Sequence, residues 1–282
     1  MSGAAQLITP ADLVAGPQAE ADHRIAYGPG PLHFGDLYLP PGVGPHPVLA
    51  FIHGGCFLSA FDLAHTANLA RAVADEGYAV WSIEYRRVGD EGGGWPGTFQ
   101  DVGRGVDHLR DIADTHSLDL NRTLLAGHSA GGTLALWAAD RADLPRESEV
   151  WAAEPLPVNG VFGLAAVGDL EGVWMTGACG NVVDRLMGGS PNEVPDRWSA
   201  ASPMQLAPTP GPATLIVGAL DAPWTPPSLA YFHRAQTVGG EGLRLVELPE
   251  SGHFEMISPQ SSSWAQVLQE LHAAFRRMAP GD

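Results

Sequence analysis

Basic side chains are scarce in this sequence: 15 Lys and Arg stand against 32 Asp and Glu, a formal net charge of -17 at pH 7. Such a surface repels phosphate backbones and anionic headgroups, so neither a nucleic acid nor a membrane is expected as a partner. Cysteine is nearly absent. Cys56 and Cys179 form no C-x-x-C pair and no metal-finger spacing. Neither a disulfide framework nor a structural zinc is therefore expected, and the composition reads as that of a reduced, cytoplasmic protein. No run approaches the ~18 apolar residues of a membrane span. The opening MSGAAQLITPADLVAG lacks a basic region and a continuous apolar core, so no export signal or lipid anchor is expected. Eleven histidines contain no H-E-x-x-H and no H-x-H, which argues against a metal site.

What remains is a chain of 282 residues, 45% hydrophobic and only 17% charged, enough apolar material for one large core. Short β-rich runs alternate with segments of helical spacing, the pattern of a parallel sheet wrapped by helices. Continuous apolar runs predict strands over 47–53 (PVLAFIH) and 78–83 (YAVWSI), and further strands follow at 123–126, 161–167, 213–217 and 243–248. Helices are predicted over 65–76, along one face marked by Phe99, Val102, Val106, Leu109 and Ile112, over 130–141, and from about Ser261 to Met278. No repeat or polar linker divides the chain, so residues 1–282 read as one domain, with 1–30 as an N-terminal extension. Residues 168–212 interrupt the alternation for longer than an ordinary connection, and read either as a lid over the site or as an irregular surface excursion.

The chemistry concentrates in a few turns. Gly127-His128-Ser129-Ala130-Gly131 matches G-x-S-x-G, follows the β-rich RTLLA and runs directly into an alanine-rich helical segment. A nucleophile elbow needs this context: a sharp strand-to-helix turn exposes the serine, and the glycines admit backbone where a Cβ would clash. A serine hydroxyl needs a base and the base needs an orienting acid. Asp221 follows the strand ATLIVGAL, and His253 follows LRLVELP. The order Ser129, Asp221, His253 is that of α/β-hydrolases and differs from the chymotrypsin and subtilisin orders. His53-Gly54-Gly55-Cys56-Phe57 follows another strand and predicts an oxyanion loop, in which either Gly55 or Cys56 pairs its N–H with that of Ala130. His53 and His128 read as shaping their own turns, and Glu84, Tyr85 and Arg86 as a structural cluster at a strand end. Phe57, Trp95, Trp174, Trp224 and Phe254 lie in or near loops at the same end of the sheet. They are candidates to line an apolar substrate pocket or, equally, to pack.

On the stretches FIHGGCF, IEYRR, PGTFQD, AGHSAGG, Ser202-Pro203, GALDAPWTPPS and SGHF, the chain resembles α/β-hydrolases of the esterase and lipase type from about Asp36 to Met278. It stands near the kynurenine-formamidase-like and hormone-sensitive-lipase-like branches. The resemblance implies an α/β fold with an eight-stranded, mostly parallel sheet, and hydrolysis through an acyl-enzyme with no metal or organic cofactor. Cys56 stands where many relatives carry glycine or an aromatic residue, and GHSAGG replaces the GDSAGG of the lipase branch. Three functions are thus weighed: a serine hydrolase of small carboxylic esters, an arylformamidase cleaving an N-formyl arylamine, and a non-catalytic binding module. The expected partner is a small-molecule ester or amide. The oligomeric state, monomer or homodimer, stays open.

Overall fold

The computed structural model describes residues 7–206, 211–238 and 242–278. Eight strands, β1 (His23–Ala26), β2 (Phe34–Tyr38), β3 (His46–Ile52), β4 (Ala79–Ile83), β5 (Leu118–His128), β6 (Gly160–Leu164), β7 (Ala213–Gly218) and β8 (Leu243–Leu248), form one sheet. Their order across it is β1-β2-β4-β3-β5-β6-β7-β8. The β1–β2 and β2–β4 pairs are antiparallel, and every other pair is parallel. This is the α/β-hydrolase fold. Every residue of β4, β6 and β7 is buried, as a strand covered on both faces requires, whereas β8 alternates and β1 is mostly exposed, as edge strands do.

Ten α-helices surround the sheet among the described residues: α1 (Pro10–Leu13), α2 (Ala67–Asp75), α3 (Gly97–Asp107), α4 (Leu109–His116), α5 (Ala130–Asp140), α6 (Leu170–Thr176), α7 (Val182–Met187), α8 (Pro195–Ala201), α9 (Thr225–Thr237) and α10 (Trp264–Met278). The two-residue period of β3 divides the core between the faces. Val48, Ala50 and Ile52 point to the side packed by α3 and α5, while Leu49 and Phe51 point to the side packed by α2 and α10. Trp81 and Trp137, both nearly inaccessible, anchor the first side. Truncating either to Ala removes enough buried surface to cost about 3–5 kcal/mol.

Several sequence expectations change. Within the expected N-terminal extension lies a strand the sequence did not signal, β1, which pairs with β2 in register from His23–Leu37 to Ala26–Phe34. The single helix expected through Ile112 is interrupted at His108, which keeps helical dihedrals while its ring bonds Asp111 at 2.8 Å. Residues 170–201 form three short helices on the α3/α5 side, where Val183, Leu186, Met187 and Trp198 join the core; residues 207–210 of the expected lid lie outside the described residues. Cys56 and Cys179, expected to be unpaired, form a disulfide with Cα atoms 5.8 Å apart. Their 123-residue separation hides that pairing from any spacing rule. The bridge also removes the support that unpaired cysteines gave to a reduced compartment. Among the described residues no helix is long and apolar enough to cross a membrane.

Candidate active site

β5 ends at His128, and the next residue, Ser129, stands at φ 54° and ψ -120° as the N-cap of α5. A side chain held at positive φ costs on the order of 1–3 kcal/mol and persists only where neighbours enforce it. Here the Ser129 N–H donates to the Leu164 carbonyl at 2.9 Å, and the Ser129 carbonyl accepts from Thr133 at 3.1 Å. The flanking glycines are required by close approach. A Cβ on Gly127 would lie 2.1 Å from the Gly131 carbonyl oxygen, and one on Gly131 would lie 2.1 Å from that of Ile52. Ala130 follows Ser129 as the first residue of α5, where backbone N–H groups have no partner within the helix.

The loop after β3 lies directly against this turn. A Cβ on Gly54 would meet the His128 carbonyl oxygen at 2.7 Å and the Ser129 Cβ at 3.2 Å. Gly55, Cys56 and Phe57 then run consecutively at positive φ (116°, 50° and 58°). What supports that conformation lies beneath it. His53 is fully buried, with Nδ1 bonded to the Gly54 carbonyl at 2.8 Å and Nε2 to Glu84 at 3.0 Å. Tyr85 stacks on the His53 ring and donates its hydroxyl to the His53 carbonyl. Arg87 pairs with Glu84 and donates to the Phe61 carbonyl. Burial pushes the Glu84 carboxyl up, but His53 and Arg87 outweigh it and hold the group below the usual carboxylate range. Arg86 belongs to a separate pair, gripping Asp101 through two nitrogens at 2.6 and 2.7 Å.

Asp221 sits in the turn after β7, is 4% exposed, and accepts a 2.7 Å bond on Oδ2 from Nδ1 of His253. An ionised carboxylate only accepts, so Nδ1 carries the proton and a neutral ring leaves Nε2 with its lone pair. The His253 ring is flanked by His128, Phe254 and Trp224 at centroid distances of 4.7, 4.9 and 5.3 Å. Its loop is braced twice. Gly252 donates its N–H to Glu255 at 2.8 Å, and a Cβ on Gly218 would lie 2.3 Å from the Gly252 carbonyl oxygen.

A cavity of about 480 Å³ brings these pieces together, lined by Ser129, His253, Gly55 and Cys56. Trp224 and Phe254 line it too, but the other three aromatic candidates lie elsewhere. Phe57 is 3% exposed and packs into the core on the α3/α5 side. Trp95 donates to Glu149 and borders a separate cavity of about 620 Å³ that holds none of Ser129, Asp221 and His253. Trp174 packs edge-on against Trp198 and donates to Asp184. Sequence reasoning also missed much of the wall, namely Pro10 and Ala11 of α1 with Val14 just after it, and Leu58, Ala60, Phe61, Asp62 and His65 after the glycine loop. Burial pushes the His65 imidazole down to about 4, with the neighbouring His53 adding to the effect. Thr9-Pro10-x-Asp12 does carry a helix-start signature, but nothing in it indicates what the helix faces. Within the 168–212 segment, Cys179 is joined to a residue of this wall through its disulfide with Cys56. No cluster of three or more metal-ligating side chains occurs among the described residues.

The chain is 28% identical over 144 residues to Esterase LipC of Mycobacterium tuberculosis, an alignment covering 50% of this chain and 35% of that protein. It thus spans about a third of the length of the curated relative that it matches. Esterase B of Lactobacillus rhamnosis superposes with a TM-score of 0.79 at 21% identity, over 95% of this chain and 90% of that one. A bacterial heroin esterase superposes with a TM-score of 0.69 at 25% identity, over 88% and 80% of the two chains. The BD-FAE family model matches residues 35–227, a stretch that takes in both the glycine loop and the Ser129 turn, and the chain belongs to that family.

Proposed function

We propose that the protein is a serine hydrolase of small carboxylic esters, with Ser129 as nucleophile, His253 as base and Asp221 as the acid that orients it. The observation that carries this reading is the 2.7 Å bond from His253 Nδ1 to Asp221, made where His253 and Ser129 border one cavity. Asp221 fixes the tautomer that leaves Nε2 free to take the Ser129 proton as the hydroxyl attacks the acyl carbonyl. The N–H groups of Ala130 and of Gly55 or Cys56 stabilise the oxyanion, having been oriented before the reaction by the elbow and the glycine loop. The protonated His253 then hands its proton to the departing alcohol. Water, deprotonated by the same imidazole, releases the acid from Ser129. The esterases among the relatives and structural neighbours support the same reaction class.

The deciding experiment compares wild type and Ser129→Ala on a short aryl ester and on N-formylkynurenine. Ester turnover that falls by several orders of magnitude in the variant is the expected result. Preference for the formamide by kcat/KM would replace the ester by an N-formyl arylamine while keeping the triad. Activity that survives Ser129→Ala overturns the mechanism.

A further inference from the structure

The cavity wall nearest the N-terminus belongs to no element that the proposed chemistry uses. Pro10 and Ala11 of α1, with Val14 just beyond it, line the same 480 Å³ space as Ser129 and His253. Two independent contacts tie this segment to the turn that carries His253. The Ile8 N–H donates to Glu255 Oε1 at 2.5 Å, while the other oxygen of that carboxylate takes the Gly252 N–H at 2.8 Å. A Cβ built on Gly252 would also lie 3.1 Å from the Leu7 side chain, so Leu7 rests on the residue preceding His253. Glu255 is 6% exposed, and a carboxylate buried to that degree on two backbone amides is a fixed clamp. Further along, the Ala19 N–H donates to Asn68 at 2.9 Å, and Thr9 and Asp12 close a capping box on α1.

We propose that residues 7–14 are the wall that limits substrate bulk at this site, and that Glu255 acts as a positioning residue locking that wall to the His253 turn. The proposal rests on the hydrolase reading above and narrows its substrates to esters whose apolar part is compact. Pro10, Ala11 and Val14 offer no charged group to the cavity, and with Leu58, Phe61 and Trp224 they favour an uncharged acyl or alcohol moiety, while Asp62, also in the lining, is engaged by the Ala64 N–H and disfavours an anionic one. Any larger group must displace α1, and through Glu255 that displacement pulls on the turn that holds the base.

Two ladders of substrates test the wall: 4-nitrophenyl esters of lengthening acyl chain, and acetates of increasingly bulky alcohols. Ala11→Phe is expected to lower the ratio of kcat/KM for the bulkiest members of one ladder to that for 4-nitrophenyl acetate by about tenfold or more. Val14→Trp should do the same, and because Val14 is 50% exposed the fold tolerates the change. Unaltered size selectivity in both ladders for Val14→Trp overturns the wall. Glu255→Gln leaves one acceptor oxygen for two amides, so hydrogen exchange at Ile8 or Gly252 should accelerate by about tenfold or more and tolerance of bulky esters should rise. Unchanged exchange at both amides overturns the clamp, and this readout needs no turnover. Wild type lacking any Ser129-dependent hydrolysis would instead overturn the hydrolase reading, leaving the exchange result to judge the clamp separately.

Discussion

His128 donates its Nε2–H to the carbonyl oxygen of His253 across 2.8 Å, joining the residue before the proposed nucleophile to the backbone of the proposed base. Because a carbonyl only accepts, the ring is the Nε2–H tautomer. Its Nδ1 has no hydrogen-bond partner among the described residues and faces Gly54, within 2.9 Å of where a Cβ would stand. His128 thus touches the glycine loop and the His253 turn at once. His128→Ala is expected to lower kcat by roughly 10- to 100-fold through misplacement of His253. Loss of the buried bond should also reduce stability by about 1–3 kcal/mol. Steady-state kinetics beside urea unfolding would check both, and unchanged kcat would make the bond structural only.

Gly131 packs against the carbonyl oxygens of Ile52 and His53, at 2.1 and 2.3 Å from an added Cβ. Both obstacles are backbone, so β3 would have to move away from α5. Gly131→Ala should cost about 1–3 kcal/mol, read as a lowered urea midpoint. A neutral substitution would mean that the strand and helix separate more easily than this geometry implies.

The bridge between Cys56 and Cys179 closes a loop spanning 123 positions. Cys179→Ser should lower stability by about 2–5 kcal/mol, chiefly because the unfolded chain regains freedom. A thiol reductant should bring wild type to the midpoint of the variant and leave the variant where it is. Equal midpoints for oxidised wild type and Cys179→Ser would show that the bridge contributes nothing to folding.

Acid should destabilise the fold before the carboxylates are titrated. Burial, aided by the neighbouring His253, holds the His128 imidazole well below its ordinary value of 6.5, and burial brings His65 down to about 4. Both rings bind protons more readily unfolded than folded. Their contribution is therefore complete above about pH 6.5 and is lost as pH falls from there towards 4, at up to about 1.4 kcal/mol per pH unit for each proton taken up. Urea midpoints at pH 7.5, 6 and 5 measure the slope, which His65→Gln should flatten. A midpoint independent of pH across this range would contradict the burial of these rings.

Legibility in the sequence followed the reach of each interaction. The Ser129 turn, Asp221 and His253 could be read because each depends on local chemistry at a strand end, with glycines whose need for close backbone approach is encoded beside them. The central strands could be read because burial on both faces leaves an unbroken apolar run. β1 could not: its exposed HRIA carries no such run, and its place comes from pairing with β2. Trp95 and Trp174 were indistinguishable from Trp224 and Phe254 by position, since what separates them is side-chain direction and partners such as Glu149 and Asp184. The Cys56–Cys179 bridge and the approach of Ile8 to Glu255 lie beyond any local window, joining residues 123 and 247 positions apart.

The order of the strands along the chain also sets a timetable for synthesis. β3, β5 and β6 already hold Ser129 in its turn, through the glycine contacts and the bond to Leu164. Asp221 comes after β7 and His253 after β8, and Glu255, the anchor for Ile8, is later still. A nascent chain that has reached β6 therefore carries the hydroxyl without the imidazole and the first wall residues without their clamp. On the proposed assignment, a ribosome-bound intermediate stays inert until the last parallel strand has been added to the sheet.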